Sequence, residues 1–302
     1  MTTVQMSGLP IALALSGEAP SRALLERFAG VGLVRGEYVF RGILRYPTEE
    51  TAGAELERYL SSVCAATEAS VAYRTLEVTQ AEANVLEGVE HEDDEDGDDL
   101  LGLRGVRRHM AFPASLDAEL RAVRRVRERH PNLEVVAPFV TSADEYVWFR
   151  ERVRSVVGPD VVVGTMVETP AAAVDVADLV DAGCRRFVVG SNDLTSLLAA
   201  RRRGPALREG SVPGLARLLA HVTAAVHAVD GTVDLAGYLT PTLVETAVAA
   251  GVDRGVVHYS DLARLGLVDP AALPDLGHLA AVKARTRDAI AARRSRISRH
   301  PV

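Results

Sequence analysis

VVVGTMVETPAAAVDVADLVDAGCRRFVVGSND, residues 161–193, holds one full repeat of the pattern that organises this chain. Residues 161–168 read as a strand, 170–183 as a helix and 186–190 as a second strand. Both strands are apolar throughout, as expected of strands covered on both faces in a parallel sheet. Each runs straight into polar residues: Glu168-Thr169 after the first, Ser191-Asn192-Asp193 after the second.

The same alternation extends in both directions. Towards the N-terminus, residues 10–16, 31–34, 71–77 and 133–139 read as strands. Residues 21–30, 49–67, 115–130 (with Ser115 as N-cap) and 143–157 read as helices. Towards the C-terminus, strands are expected over 232–237 and 254–259, and helices over 214–230, 241–251 and beyond 260. About eight βα units result, which is what a TIM (β/α)8 barrel requires. A doubly wound open sheet is the rival. It usually carries a glycine-rich turn after its first strand, and SGEAPS (16–21) is not one. The expected architecture is a single α/β domain: a barrel over residues 1–275, followed by a basic helical tail over 276–302.

Two charged stretches interrupt the pattern. EHEDDEDGDD (90–99) carries eight carboxylates in ten residues and reads as a solvated, mobile loop inserted over 88–100. It lacks the spacing and closing glutamate of an EF-hand. KARTRDAIAARRSRISR (283–299) has seven basic residues and one acidic, and reads as a solvated C-terminal helix.

Composition removes several functions. The chain has 302 residues, 48% of them hydrophobic, and a net charge of −7, which gives no reason to expect a nucleic-acid partner. No signal peptide and no bilayer-length apolar run is visible, so a soluble cytoplasmic protein with no membrane partner is expected. Lys283, in the basic tail, is the one lysine. That argues against Schiff-base chemistry, pyridoxal phosphate and Walker-type nucleotide sites. Cys64 and Cys184 have no metal or redox spacing and read as structural thiols.

In a TIM barrel the chemistry sits at the C-terminal ends of the strands. The polar residues there are Arg35 and Glu37, Arg74 and Thr75, Arg104 before the third helix, Glu168, Asn192 and Asp193, then Arg203 one short helix on. Arginines bind carboxylate and phosphate oxygens bidentately. Two carboxylates without nearby His or Cys suit Mg2+, although each also precedes a helix and would serve as an N-cap. The implied ligand is a small, strongly anionic molecule, with a metal stabilising an enolate or a transferring phosphoryl group.

GVGLVRGEYVF (30–40), YRTLE (73–77), LGLRGVRR (101–108), GTMVETPAAA (164–173) and GSNDLTSLLAARRR (190–203) occur in this order. Together they resemble the phosphoenolpyruvate-binding C-terminal barrel of the PEP-utilising enzymes, which include enzyme I of the sugar phosphotransferase system, PEP synthase and pyruvate phosphate dikinase. The likeness runs from about residue 10 to about residue 265. It implies that Arg35, Arg74 and Arg104 are catalytic and grip phosphate and carboxylate oxygens. It further implies that Glu168 and Asp193 hold Mg2+, that Asn192 contacts the phosphate and that Arg203 closes the substrate site. A homodimer is also implied.

The departures are specific. The family's proton-donating cysteine at the end of the seventh strand is replaced by Ala236 in VDLAGYLTP, with Tyr238 or Asp234 as the nearest substitutes. The family's Gly-Gly-Asp-Lys run gives way to VTQAE (78–82). No phosphohistidine motif or ATP-grasp domain is visible. His258, at the end of the last strand, reads as a satisfied core histidine. The expected function is therefore a Mg2+-dependent, phosphotransferase-like enzyme that binds PEP or pyruvate and acts through an enolpyruvate, with a separate phospho-carrier protein as a possible partner. The alternatives are a Mg2+-dependent C–C lyase or aldolase of the citrate-lyase β type, and an inactive PEP sensor or partner-binding protein.

Overall fold

The computed structural model describes residues 3–88, 100–202, 204 and 213–299. The acidic segment 90–99 and Arg203 lie outside the described residues. Nine strands form one sheet. They are β1 (Gln5–Met6), β2 (Leu9–Leu15), β3 (Val31–Arg35), β4 (Val71–Arg74), β5 (Leu133–Ala137), β6 (Val163–Val167), β7 (Arg186–Gly190), β8 (Thr232–Ala236) and β9 (Arg254–His258). From β2 to β9 every neighbour is parallel, and β9 pairs back onto β2, so eight parallel strands close the expected TIM barrel.

The added strand is β1. It pairs antiparallel with the start of β2 through Ser7 and Gly8, which have φ of 49° and 85°. Two successive positive φ values are the signature of a type I′ hairpin turn. A two-residue strand is too short to show any periodicity.

Several elements end earlier than their apolar runs. Residues 138–139 are not strand: Pro138 has no N–H for the ladder, and Phe139 turns left-handed with φ 46°. The third long helix is Pro113–Arg127, not 115–130. Pro113 occupies its first turn, where a missing N–H costs nothing. Ser115 is therefore not the N-cap; its Oγ donates to the Phe112 carbonyl at 2.9 Å. The helix expected over 170–183 breaks at Asp175 into Pro170–Val174 and Val176–Asp181.

Inward-facing side chains fill the barrel in layers, as alternation along each strand dictates. The N-terminal layer is ionic. Arg186 reaches Asp234 at 2.8 Å and Glu134 at 3.3 Å, and Arg254 reaches Asp234 at 3.0 Å. Above it lies an apolar plug that includes Ala12, Ala72, Val136, Val188 and Val256. Above the plug the barrel opens. The outer faces of the strands pack against the helices in one continuous core.

Helix His278–Arg299 is not solvated along its whole length. Leu279 and Val282 bury against Tyr38, and Arg41 Nε donates to Thr286 Oγ1 at 3.1 Å. Cys64 and Cys184 are buried free thiols, and burial pushes the Cys64 thiol up to about 12, which leaves it unreactive. Among the described residues, no helix is long and apolar enough to cross a membrane.

Candidate functional site

The C-terminal ends of the strands surround a cleft of about 270 Å³. Arg35 ends β3, Arg74 ends β4, Glu168 follows β6, Asn192 and Asp193 open the helix after β7, and Ala236 ends β8; all six line it. Arg104 stands behind them, 2% exposed, at the N-cap position of helix Gly105–Ala111. Residues far apart in sequence thus meet because each closes a parallel strand at the same end of the barrel.

The charges are arranged around Arg74. Its Nη2 lies 2.7 Å from Glu37 and 3.8 Å from Glu77, and its Nη1 lies 3.4 Å from Glu168. Arg35 also reaches Glu37, at 3.2 Å, and its guanidinium sits 4.4 Å from the centre of the Tyr38 ring. Arg104 reaches Glu77 at 2.6 Å and Asp193 at 3.6 Å, with the Phe139 ring centre 4.0 Å away. Three guanidinium groups therefore meet four carboxylates, and Lys283 lines the same cleft.

The protonation of Glu168 bears on what the site can hold. Burial raises the Glu168 carboxyl to about 7; Arg74 and Arg104 oppose the rise, and Asp193 and Glu77 add to it. A divalent cation at Glu168 and Asp193 would reverse the local charge and favour the ionised Glu168. Both are oxygen donors, as Mg2+ prefers. Among the described residues no three His, Cys, Asp or Glu side chains converge into an all-protein cage. Two carboxylates plus ligand oxygens and water make a set in which Mg2+ is commonly held.

Neither carboxylate is a helix cap. Thr169 caps helix Pro170–Val174, accepting from Ala172 N at 3.2 Å, while Glu168 accepts from Phe139 N at 3.2 Å. The left-handed turn at Phe139 aims that N–H into the site. Asp193 lies inside helix Ser191–Ala199, whose N-cap position is Gly190. Gly190 has a packing role: a Cβ there would lie 2.5 Å from Glu168 Cγ and 2.7 Å from its Oε1. Gly190→Ala is expected to push the Glu168 carboxylate out of place. Ligand affinity should fall at least several-fold with the melting temperature little changed, because φ at this residue is −86° and suits alanine. Calorimetry beside a thermal melt separates the two effects, and unaltered affinity would show that the Glu168 position is not critical.

The other singled-out residues divide. Ala236 stands at the cleft wall, at the end of the seventh barrel strand. Asp234 belongs to the ionic layer at the far end of the barrel, tied to Arg186 and Arg254, and so cannot replace an acid at position 236. Tyr238 does line the cleft; its N–H donates to Asn192 Oδ1 at 3.2 Å and its ring lies under Arg264 at 4.1 Å. His258 is satisfied, as expected. Its Nδ1 accepts from Ser260 N at 3.1 Å, so Nε2 carries the proton and faces Ser16 Oγ at 2.9 Å. Burial, then the charges of Arg35 and Lys283, hold its imidazole down at about 3. Yet it also lines the cleft.

Glu77 and Lys283 were not singled out as site residues by sequence, and Glu37 was placed at its strand end without a role. Glu37 and Glu77 anchor the arginines, and Lys283 reaches the cleft from the C-terminal helix. Glu37 and Glu77 do sit at strand ends, two and three residues past Arg35 and Arg74, which is the signal that was available. Lys283 had none, since nothing local says where a tail helix docks.

Comparison with known proteins shows the family of the chain. Residues 9–265 match the family described as PEP-utilising enzyme, PEP-binding domain. A probable phosphoenolpyruvate synthase of Methanocaldococcus jannaschii is 33% identical over 254 residues, covering 78% of this chain and 21% of its own length. A phosphoenolpyruvate-protein phosphotransferase of Haloferax volcanii is 30% identical over 245 residues, covering 74% of this chain and 42% of its own length. The chain thus spans between a fifth and a half of these relatives. Among solved structures, an HpcH/HpaI aldolase/citrate lyase family protein from Burkholderia cenocepacia superposes with a TM-score of 0.51 at 15% identity. It covers 85% of this chain and 91% of that one, a likeness of fold. By these matches the chain belongs to the PEP-utilising enzyme family, as its PEP-binding domain.

Proposed function

We propose that this chain binds phosphoenolpyruvate or pyruvate with Mg2+ and stabilises an enolpyruvate at the mouth of the barrel. The observation that carries this reading is the buried set of three arginines and four carboxylates beside a cleft of about 270 Å³. In such a set the carboxylates compete with an anionic ligand for the arginines, and a divalent cation at Glu168 and Asp193 would relieve that competition.

Arg35 and Arg74 donate to the ligand's phosphate and carboxylate oxygens. Their carboxylate partners fix the guanidinium groups before the ligand arrives, so little side-chain entropy is lost on binding. Arg104 holds Asp193 and Glu77 in place from behind. Asn192 accepts from Tyr238 N through its Oδ1, which leaves its amide nitrogen to donate to the ligand. Glu168 gives up its proton as the site fills. A bound Mg2+ would supply the charge that stabilises developing negative charge on the enolate oxygen.

With phosphoenolpyruvate, the bond from phosphorus to the enol oxygen breaks and the phosphoryl group passes to an acceptor, either a small molecule or a group on a phospho-carrier protein. The fate of the enolpyruvate turns on Ala236, whose methyl group cannot protonate it. That observation favours a second reading, in which the carbon nucleophile is captured by another electrophile in a lyase- or aldolase-type reaction.

Titration calorimetry with phosphoenolpyruvate, pyruvate and oxalate, each with and without Mg2+, tests the proposal. Oxalate mimics the enolate and is expected to bind tightest, and only with the metal. If none of the three binds, the enolpyruvate reading is wrong.

A further inference from the structure

The C-terminal helix carries one charged residue on its docked stripe. Leu279, Val282, Lys283 and Thr286 fall at i, i+3, i+4 and i+7, the spacing of one helix face. Leu279, Val282 and Thr286 are buried against the region of Tyr38 and Arg41. Lys283, on the same stripe, lines the cleft with Glu168 and Asp193. A chain with 33 arginines and one lysine therefore places that lysine at its site.

Its position within the cleft follows from the barrel. Glu168 follows the fifth barrel strand and Asp193 the sixth; Arg35 ends the second and His258 the eighth. In a ring of eight, the first and second strands lie across from the fifth and sixth. Lys283 comes from a helix docked on Tyr38 and Arg41, which follow the second strand, at whose end Arg35 lies. The two cations thus approach from the side of the barrel opposite Glu168 and Asp193.

We propose that Lys283 is a substrate-specificity residue that grips the phosphoryl oxygens of phosphoenolpyruvate together with Arg35, making the C-terminal helix part of the binding site. This rests on the enolpyruvate reading above. The carboxylate and enol oxygens face Glu168 and Asp193, and the phosphoryl group faces Arg35 and Lys283. Pyruvate and oxalate, which have no phosphoryl group, do not reach the lysine.

Having one lysine makes the test direct. The side chain is acetylated with an amine-selective reagent, and its rate is followed by peptide mass spectrometry, which separates it from the α-amino group. Saturating phosphoenolpyruvate with Mg2+ should slow acetylation of Lys283 roughly ten-fold, while pyruvate and oxalate leave the rate unchanged. Lys283→Met should weaken phosphoenolpyruvate binding roughly ten-fold, the loss expected for one charge-assisted contact, and leave oxalate affinity as in the parent. The proposal is overturned if phosphoenolpyruvate binds by calorimetry yet leaves the acetylation rate unchanged, or if Lys283→Met binds it normally. If the unmodified protein binds none of the three ligands, the enolpyruvate reading fails, and this proposal with it.

Discussion

Glu168→Ala and Asp193→Ala are each expected to abolish Mg2+-dependent oxalate binding, a loss of roughly a hundred-fold or more, since outer partners of a metal site alone are worth ten- to a hundred-fold. The fold should survive both changes. Without Glu168, Arg74 keeps Glu37 at 2.7 Å; without Asp193, Arg104 keeps Glu77 at 2.6 Å. No guanidinium is left without a carboxylate in either variant. Removing Glu168 also removes a carboxyl that burial holds at about 7, a group whose ionised form the fold disfavours. Melting temperatures within a few degrees of the parent, beside a lost calorimetric signal, would bear this out. Retained Mg2+-dependent binding in either variant would sink the metal assignment.

The largest stability effect is expected at the opposite end of the barrel. Asp234 is fully buried and is reached by Arg186 at 2.8 Å and by Arg254 at 3.0 Å. Asp234→Ala strands Arg254 without its carboxylate and leaves Arg186, itself buried, only Glu134 at 3.3 Å. Breaking a buried pair from one side costs about 3–5 kcal/mol, because the remaining charge stays desolvated. Urea unfolding should show a loss of that size, with ligand affinity of the folded fraction unchanged, since the apolar plug separates this layer from the cleft. A loss under about 1 kcal/mol would mean that water or a rearranged Arg186 takes over the role of Asp234. Asp234→Asn, which keeps the shape and one acceptor, should cost less.

These predictions depend on two kinds of information. The barrel was legible in the chain itself. Eight short apolar runs alternate with helical ones, and a barrel strand lies in every one of them. This worked because burial on both faces imposes a local composition on each strand. The strand-end positions of Arg35, Arg74, Glu168, Asn192 and Asp193 followed from the same reading, since a parallel barrel sends all its strand ends to one face, and that of Ala236 from the family resemblance. Boundaries were less legible. At Phe139 an apolar residue leaves the strand because Pro138 breaks the ladder, and at Ser115 a proline two residues earlier starts the helix.

What the chain could not announce were the pairings. Arg74 with Glu37, Arg104 with Glu77, and Asp234 with Arg186 and Arg254 join different elements at distances set by strand register and shear. The same holds for Lys283. Its basic neighbours suggested a solvated tail, and only the docking of Leu279, Val282 and Thr286 turns that one side chain into the cleft. The sequence by itself determined the barrel and the residues at its mouth, because periodicity and strand direction are local properties. The tertiary structure decided which charges neutralise one another and which remain for a ligand, because Coulomb energy depends on distance and burial, and neither is written along the chain.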